Sequence, residues 1–140
     1  MQTRRISGRL VDRPAREAGD AGYDCLAPDG SRIRFLPALK GGSMVHCALA
    51  PGQVSSPVRH RTVEEIWYFL RGTGELWRKP AEAASGTVEA VGPGTAVDIP
   101  LGSHFQFRNT GPGPLEIVIV TMPPWPGEDE AVPVPGFWET

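Results

Sequence analysis

GQVSSPVRHRTVEEIWYFLRGTG, residues 52–74, places a histidine and a carboxylate, His60 and Glu65, on either side of a tight bend. The strand that follows the bend ends at Gly72. Two antiparallel strands joined in this way aim both side chains into one cavity, because one face of each strand looks inward. Trp67 shares the parity of Glu65 and looks into the same space, whereas Tyr68 faces away, into packing between sheets. Glu64 is the solvated neighbour.

Apolar alternation of period two recurs on both sides of this stretch, and no segment sustains a helical period over several turns. Expected strands are 32–36, 44–50, 66–70, 74–78, 87–91, 96–99, 105–109 and 115–122. Turn chemistry separates them at Pro51-Gly52, Gly72-Thr73-Gly74, Gly92-Pro93-Gly94, Pro100-Leu101-Gly102 and Asn109 to Gly113. Glycine there supplies positive φ, proline presets φ and asparagine tolerates the left-handed region. Many short strands with regular punctuation predict an all-β sandwich or barrel. The Ala- and Ser-rich stretch 80–86 is expected to be a loop. The first 31 residues hold one irregular strand and the loop around Asp29-Gly30. The proline-rich end, 123–140, cannot supply a central strand; its aromatic residues pack across the barrel or onto a second subunit.

Length and composition agree with a single domain spanning 1–140, its barrel at roughly 32–122. The chain has 140 residues, 40% hydrophobic and 21% charged, with 17 glycines and 15 prolines, a globular composition rich in turns. Its formal net charge of −2 lacks the basic footprint of nucleic-acid binding. The arginines at 4, 5, 9, 13 and 16 are interrupted by Asp12 and Glu17 and read as solvated surface. No run is long and apolar enough to span a membrane, and Met1 to Arg5 is not followed by the apolar core of a signal peptide, so a cytoplasmic protein is expected. Cys25 and Cys47 form no metal-type pair and read as small buried hydrophobes.

The spacing around His60 resembles the first motif of the cupin superfamily, G-x5-H-x-H-x4-E-x6-G. It is met by Gly52, His60, Glu65 and Gly72, with Val58 in place of the first histidine. The second motif, G-x5-P-x-G-x2-H-x3-N, is met by Gly94, Pro100, Gly102 and Asn109, with Phe105 at its histidine and His104 one residue early. The resemblance covers roughly residues 44–120 and is greatest to small single-domain bacterial cupins. It implies a jelly-roll β-barrel of two packed antiparallel sheets and a homodimer. Cupins typically hold a divalent metal with three His and one Glu. Only His60 and Glu65 carry over, and two protein ligands fall short of a tight site.

Two chemistries follow. Without a cofactor, His60 and Glu65 form an acid–base pair in a cup lined by Val58, Trp67, Phe69, Phe105 and Phe107, with His46 as a further lining candidate. Such a pair suits lyase, isomerase or cyclase chemistry on a small metabolite. With a divalent metal (Zn, Fe, Mn or Ni), His60 and Glu65 would need a third ligand, His104 or His46. Alternation turns His104 outward with Gln106 and Arg108, unless a bulge re-aims it. His46 sits on a strand either of whose faces can be the core face. A third reading is a cup that binds or senses a ligand without chemistry.

Overall fold

The computed structural model describes residues 22–140. The expectations for the arginine-rich start lie outside the described residues. Among those residues eleven strands form two antiparallel sheets. The six-stranded sheet runs, across its width, β1 (Cys25–Leu26), β2 (Arg32–Leu39), β3 (Gly42–Leu49), β10 (Leu115–Met122), β5 (Glu64–Arg71) and β8 (Ala96–Ile99). The five-stranded sheet runs β11 (Ala131–Pro133), β4 (Val58–His60), β9 (His104–Asn109), β6 (Gly74–Lys79) and β7 (Thr87–Val91). The sheets pack face to face as a jelly roll. Among the described residues no helix is long and apolar enough to cross a membrane.

The expected alternation is realised most cleanly at the centre of the six-stranded sheet. Leu115, Ile117 and Ile119 of β10 point inward, beside Trp67 and Phe69 of β5. They meet Phe105 and Phe107 from β9, and these side chains close one apolar core. The outward residues of β5 are different in kind. Tyr68, expected in inter-sheet packing, is 48% exposed, because the outer face of this sheet carries no further layer among the described residues. Cys25, expected to be buried, is also exposed, since its two-residue strand lies at the sheet edge, while Cys47 is buried.

Strand β2 extends beyond its expected end at Leu36 because the ladder tolerates Pro37 at an irregularity, the register shifting between Phe35 and Ala38. A residue outside regular pairing does not need the N–H that proline lacks. The prolines of the C-terminal segment likewise confine β11 to the edge of its sheet. Beyond it the chain crosses the outer face of β9 and is clamped there by Gln106. The Gln106 side-chain oxygen accepts from the N–H groups of Phe137 and Trp138, and its amide donates to the carbonyls of Ser55 and Trp138. Phe137 stacks on Trp77, and the Arg108 guanidinium lies over the Trp138 ring. Within the chain, the end of this segment thus packs against the barrel's outer face.

Gly72, the last glycine of the first motif, turns β5 into β6 at φ +87°, and a Cβ there would stand 2.3 Å from the carbonyl oxygen of Pro114. Gly72→Ala therefore meets both left-handed strain and backbone that cannot step aside. The expected loss is at least about 2 kcal/mol, read as a lower urea midpoint with unchanged slope.

Candidate functional site

The four residues between His60 and Glu65 do not make a hairpin. They carry the chain from one sheet to the other: β4 pairs with β9 and β11, and β5 with β10 and β8. The crossing is pinned by Glu130, whose carboxylate accepts from the backbone N–H of Thr62 (2.6 Å) and Val63 (2.8 Å) and from the Thr62 hydroxyl (2.7 Å). Burial would raise the Glu130 carboxyl, but these bonds outweigh it and hold the group below the ordinary range. His60 and Glu65 consequently face each other from opposite walls of the barrel, Nδ1 to Oε1 at 4.0 Å, both nearly inaccessible. That separation is no hydrogen bond, so the two side chains do not bond to each other directly.

Glu65 takes its hydrogen bonds elsewhere. Trp67 Nε1 donates to Oε1 at 2.9 Å, and the hydroxyl of Thr121, its cross-strand neighbour on β10, donates to Oε2 at 2.7 Å. Burial nevertheless dominates, and the carboxyl is pushed up to about 7. The His60 ring is held edge-on by Phe105 (5.1 Å between centroids) and Trp125 (5.2 Å). Desolvation in this setting pushes it down to about 4, more than the nearby Glu130 charge restores. The usual order of a histidine and a carboxylate is thereby inverted, and a proton shared between them resides on Glu65. Both bear on a cavity of about 490 Å³, and His60 Nδ1 is buried without a hydrogen-bond partner.

Val58, Trp67 and Phe105 line this cavity with the pair, but several expected residues do not. Phe69 and Phe107 are buried beyond Trp67, with ring centroids 6.2 and 5.1 Å from it. Their faces are inward as expected, yet they stand deeper along their strands and form part of the core. His46 points to the outer face of β3, where its Nε2 lies 3.0 Å from Glu116. It is excluded from the cup by parity, since its neighbours Val45 and Cys47 line the cavity. His104 faces away from the barrel with Gln106, no bulge re-aiming it, and pairs in register with Arg59 and Lys79. Burial first, then those two cations, disfavour its protonation.

Thr121, Asp29 and Trp125, which also line the cup, escaped the sequence reading. Thr121 had a signal: it shares the inward parity of Ile117 and Ile119, an uncommon place for a hydroxyl. Asp29 sits in the turn between β1 and β2, and Trp125 follows Pro123 and Pro124 into the mouth of the cup. Nothing local in sequence marks either as a lining residue.

The donor set does not suit a metal. Val58 and Phe105 occupy two of the positions where the motifs place histidine, and both oxygens of Glu65 already accept hydrogen bonds. Among the described residues no three His, Cys, Asp or Glu side chains converge to hold an ion.

The cupin-domain family model matches residues 45–121, from β3 to β10. The chain belongs to the cupin family. An uncharacterised protein of Methanocaldococcus jannaschii, MJ1618, is 29% identical to this cupin over 119 residues, covering 79% of this chain and 90% of the relative. Among solved structures, BH2720 from Bacillus halodurans superimposes with a TM-score of 0.63 at 21% identity, over 69% of this chain and 73% of that one. A predicted oxalate decarboxylase from Thermotoga maritima gives 0.57 at 22%, over 66% and 79%. At these identities the two structures speak to the fold alone.

Proposed function

We propose that this cupin is an enzyme that moves a proton on a small, carbonyl-bearing or partly aromatic metabolite, in the manner of a lyase, isomerase or cyclase. The observation that carries the reading is the unpartnered His60 Nδ1, buried in the cavity wall 4.0 Å from Glu65. A buried polar atom left unpaired is costly, and a ligand atom between the two walls removes that cost.

The roles follow from the environments. A general acid or base works best with a pKa near the operating pH, and Glu65, pushed up to about 7, meets that condition. As a carboxylate it takes a proton from the carbon next to the carbonyl, and the electron pair moves onto the carbonyl oxygen. His60 stays neutral and, as its Nδ1–H tautomer, donates a hydrogen bond to that oxygen. Return of the proton from Glu65 to a different atom completes an isomerisation; loss of a leaving group instead completes an elimination.

The test is exchange of carbon-bound hydrogen in D2O, followed by proton NMR over a panel of small ketones, amino ketones and oxo acids. Wild-type protein is expected to wash deuterium into at least one of them, and His60→Ala to lose the activity while remaining folded. Ligands that bind in the cup without exchange would transfer the site to the non-catalytic binding reading.

A further inference from the structure

The cup holds a second carboxylate that the proton-transfer reading does not use. Asp29 lies on the cavity wall contributed by the β1–β2 turn, and its Oδ1 accepts from both the backbone N–H (3.0 Å) and the hydroxyl (2.6 Å) of Ser31. The turn itself is tied to the barrel by the Ser56 N–H, which donates to the Asp29 carbonyl at 2.9 Å. The carboxylate is therefore fixed in direction. Burial pushes the Asp29 carboxyl up, against the Ser31 bonds that favour its ionised form; once ionised, it adds to the burial that already opposes ionisation of Glu65 and of the Cys47 thiol. Two acids bearing on one partly desolvated space repel each other, and a positive charge placed with them relieves the repulsion. Among the described residues that line the cavity none is Lys or Arg. The indole of Trp125 and the ring of Phe105, both on the wall, offer π-faces or edges to an apolar or cationic body.

We propose that Asp29 is the specificity-determining residue of the cup and selects a small organic molecule carrying a protonated amine. The inference rests on the reading of this cavity as a ligand site, to which the unpartnered His60 Nδ1 independently points. The ammonium group sits against Asp29, the apolar body lies between the aromatic rings, and the reacting carbon faces His60 and Glu65.

Three probes of one shape and different charge test it: benzylamine, benzyl alcohol and benzoate, titrated into the full chain at pH 8. The chain has four tryptophans, whose indole N–H signals locate binding. Trp67 and Trp125 line the cup, while Trp77 and Trp138 belong to the outer-face cluster and serve as controls. Benzylamine is expected to shift the two cup indoles with an affinity at least about tenfold above that for benzyl alcohol, with benzoate weakest. Asp29→Asn keeps an oxygen for the Ser31 bonds; it should remove the preference for the amine, so that within this variant benzylamine binds no more tightly than benzyl alcohol. Benzoate binding as tightly as benzylamine, no shift with benzylamine, or an amine preference that survives Asp29→Asn would each overturn the assignment. Amine-selective binding without any deuterium exchange would count against proton transfer alone.

Discussion

Glu65→Gln leaves the barrel folded and lowers deuterium exchange into a responsive ligand by about 10²–10⁴-fold, the usual weight of a positioned acid or base. The substitution is nearly isosteric. The amide oxygen can accept from Trp67 Nε1 as Oε1 does, and the amide N–H can donate to the Thr121 hydroxyl, reversing that bond. Only the ability to exchange a proton is removed. The same variant should be the more stable protein in neutral solution. The folded-state carboxyl at about 7 lies above its ordinary 4.5, so between these values the unfolded chain releases a proton that the folded chain keeps. Wild-type stability therefore falls, relative to the permanently neutral glutamine, as pH rises from 4.5, and the whole difference is present above 7. Its size is on the order of 3 kcal/mol. His60 contributes equally to both proteins and drops out of the comparison. Thermal or urea midpoints of the two proteins across pH 4 to 8 measure it; a constant difference would mean that Glu65 is not raised by burial.

Trp67→Ala is expected to cost about 3–5 kcal/mol, the range for emptying a large aromatic site in a close-packed core. Trp67 is 1% exposed and meets three other rings, Phe69, Phe105 and Phe107, at centroid distances of 6.2, 5.4 and 5.1 Å. These come from both sheets, so the gap left behind cannot close by moving one strand. Trp67→Phe separates packing from polarity. It keeps most of the ring contact and deletes the N–H that favours ionised Glu65, so the Glu65 carboxyl should rise still further. Urea denaturation reads the first effect, and the pH profile of exchange, displaced upward in Trp67→Phe, reads the second.

The reach of the sequence is clearest at particular residues. Motif spacing placed His60 and Glu65 on one cavity because the two glycine turns and four intervening residues leave few ways to build the crossing. Parity put Trp67 inside, but parity fixes a face and not a depth. That is why Phe69 and Phe107, inward like Trp67, were expected on the wall and stand instead beneath it. The 4.0 Å gap within the pair depends on how far apart the sheets pack, a property that no local pattern encodes. Nor could composition reveal that Thr121 and Trp67 would take the hydrogen bonds of Glu65, leaving His60 Nδ1 unpaired. Asp29 came from a turn whose chemistry was visible as Asp29-Gly30, while its approach to the cup depends on the pairing of β1 with β2.

The most direct measurement is an NMR titration of the Glu65 carboxyl carbon and the His60 ring nitrogens in one sample of the whole chain. The account predicts that Glu65 takes up its proton near pH 7, while His60 stays neutral until about pH 4. A His60 that titrates near its ordinary 6.5, beside a Glu65 near 4.5, would contradict it and make the cup an ion-pair site instead.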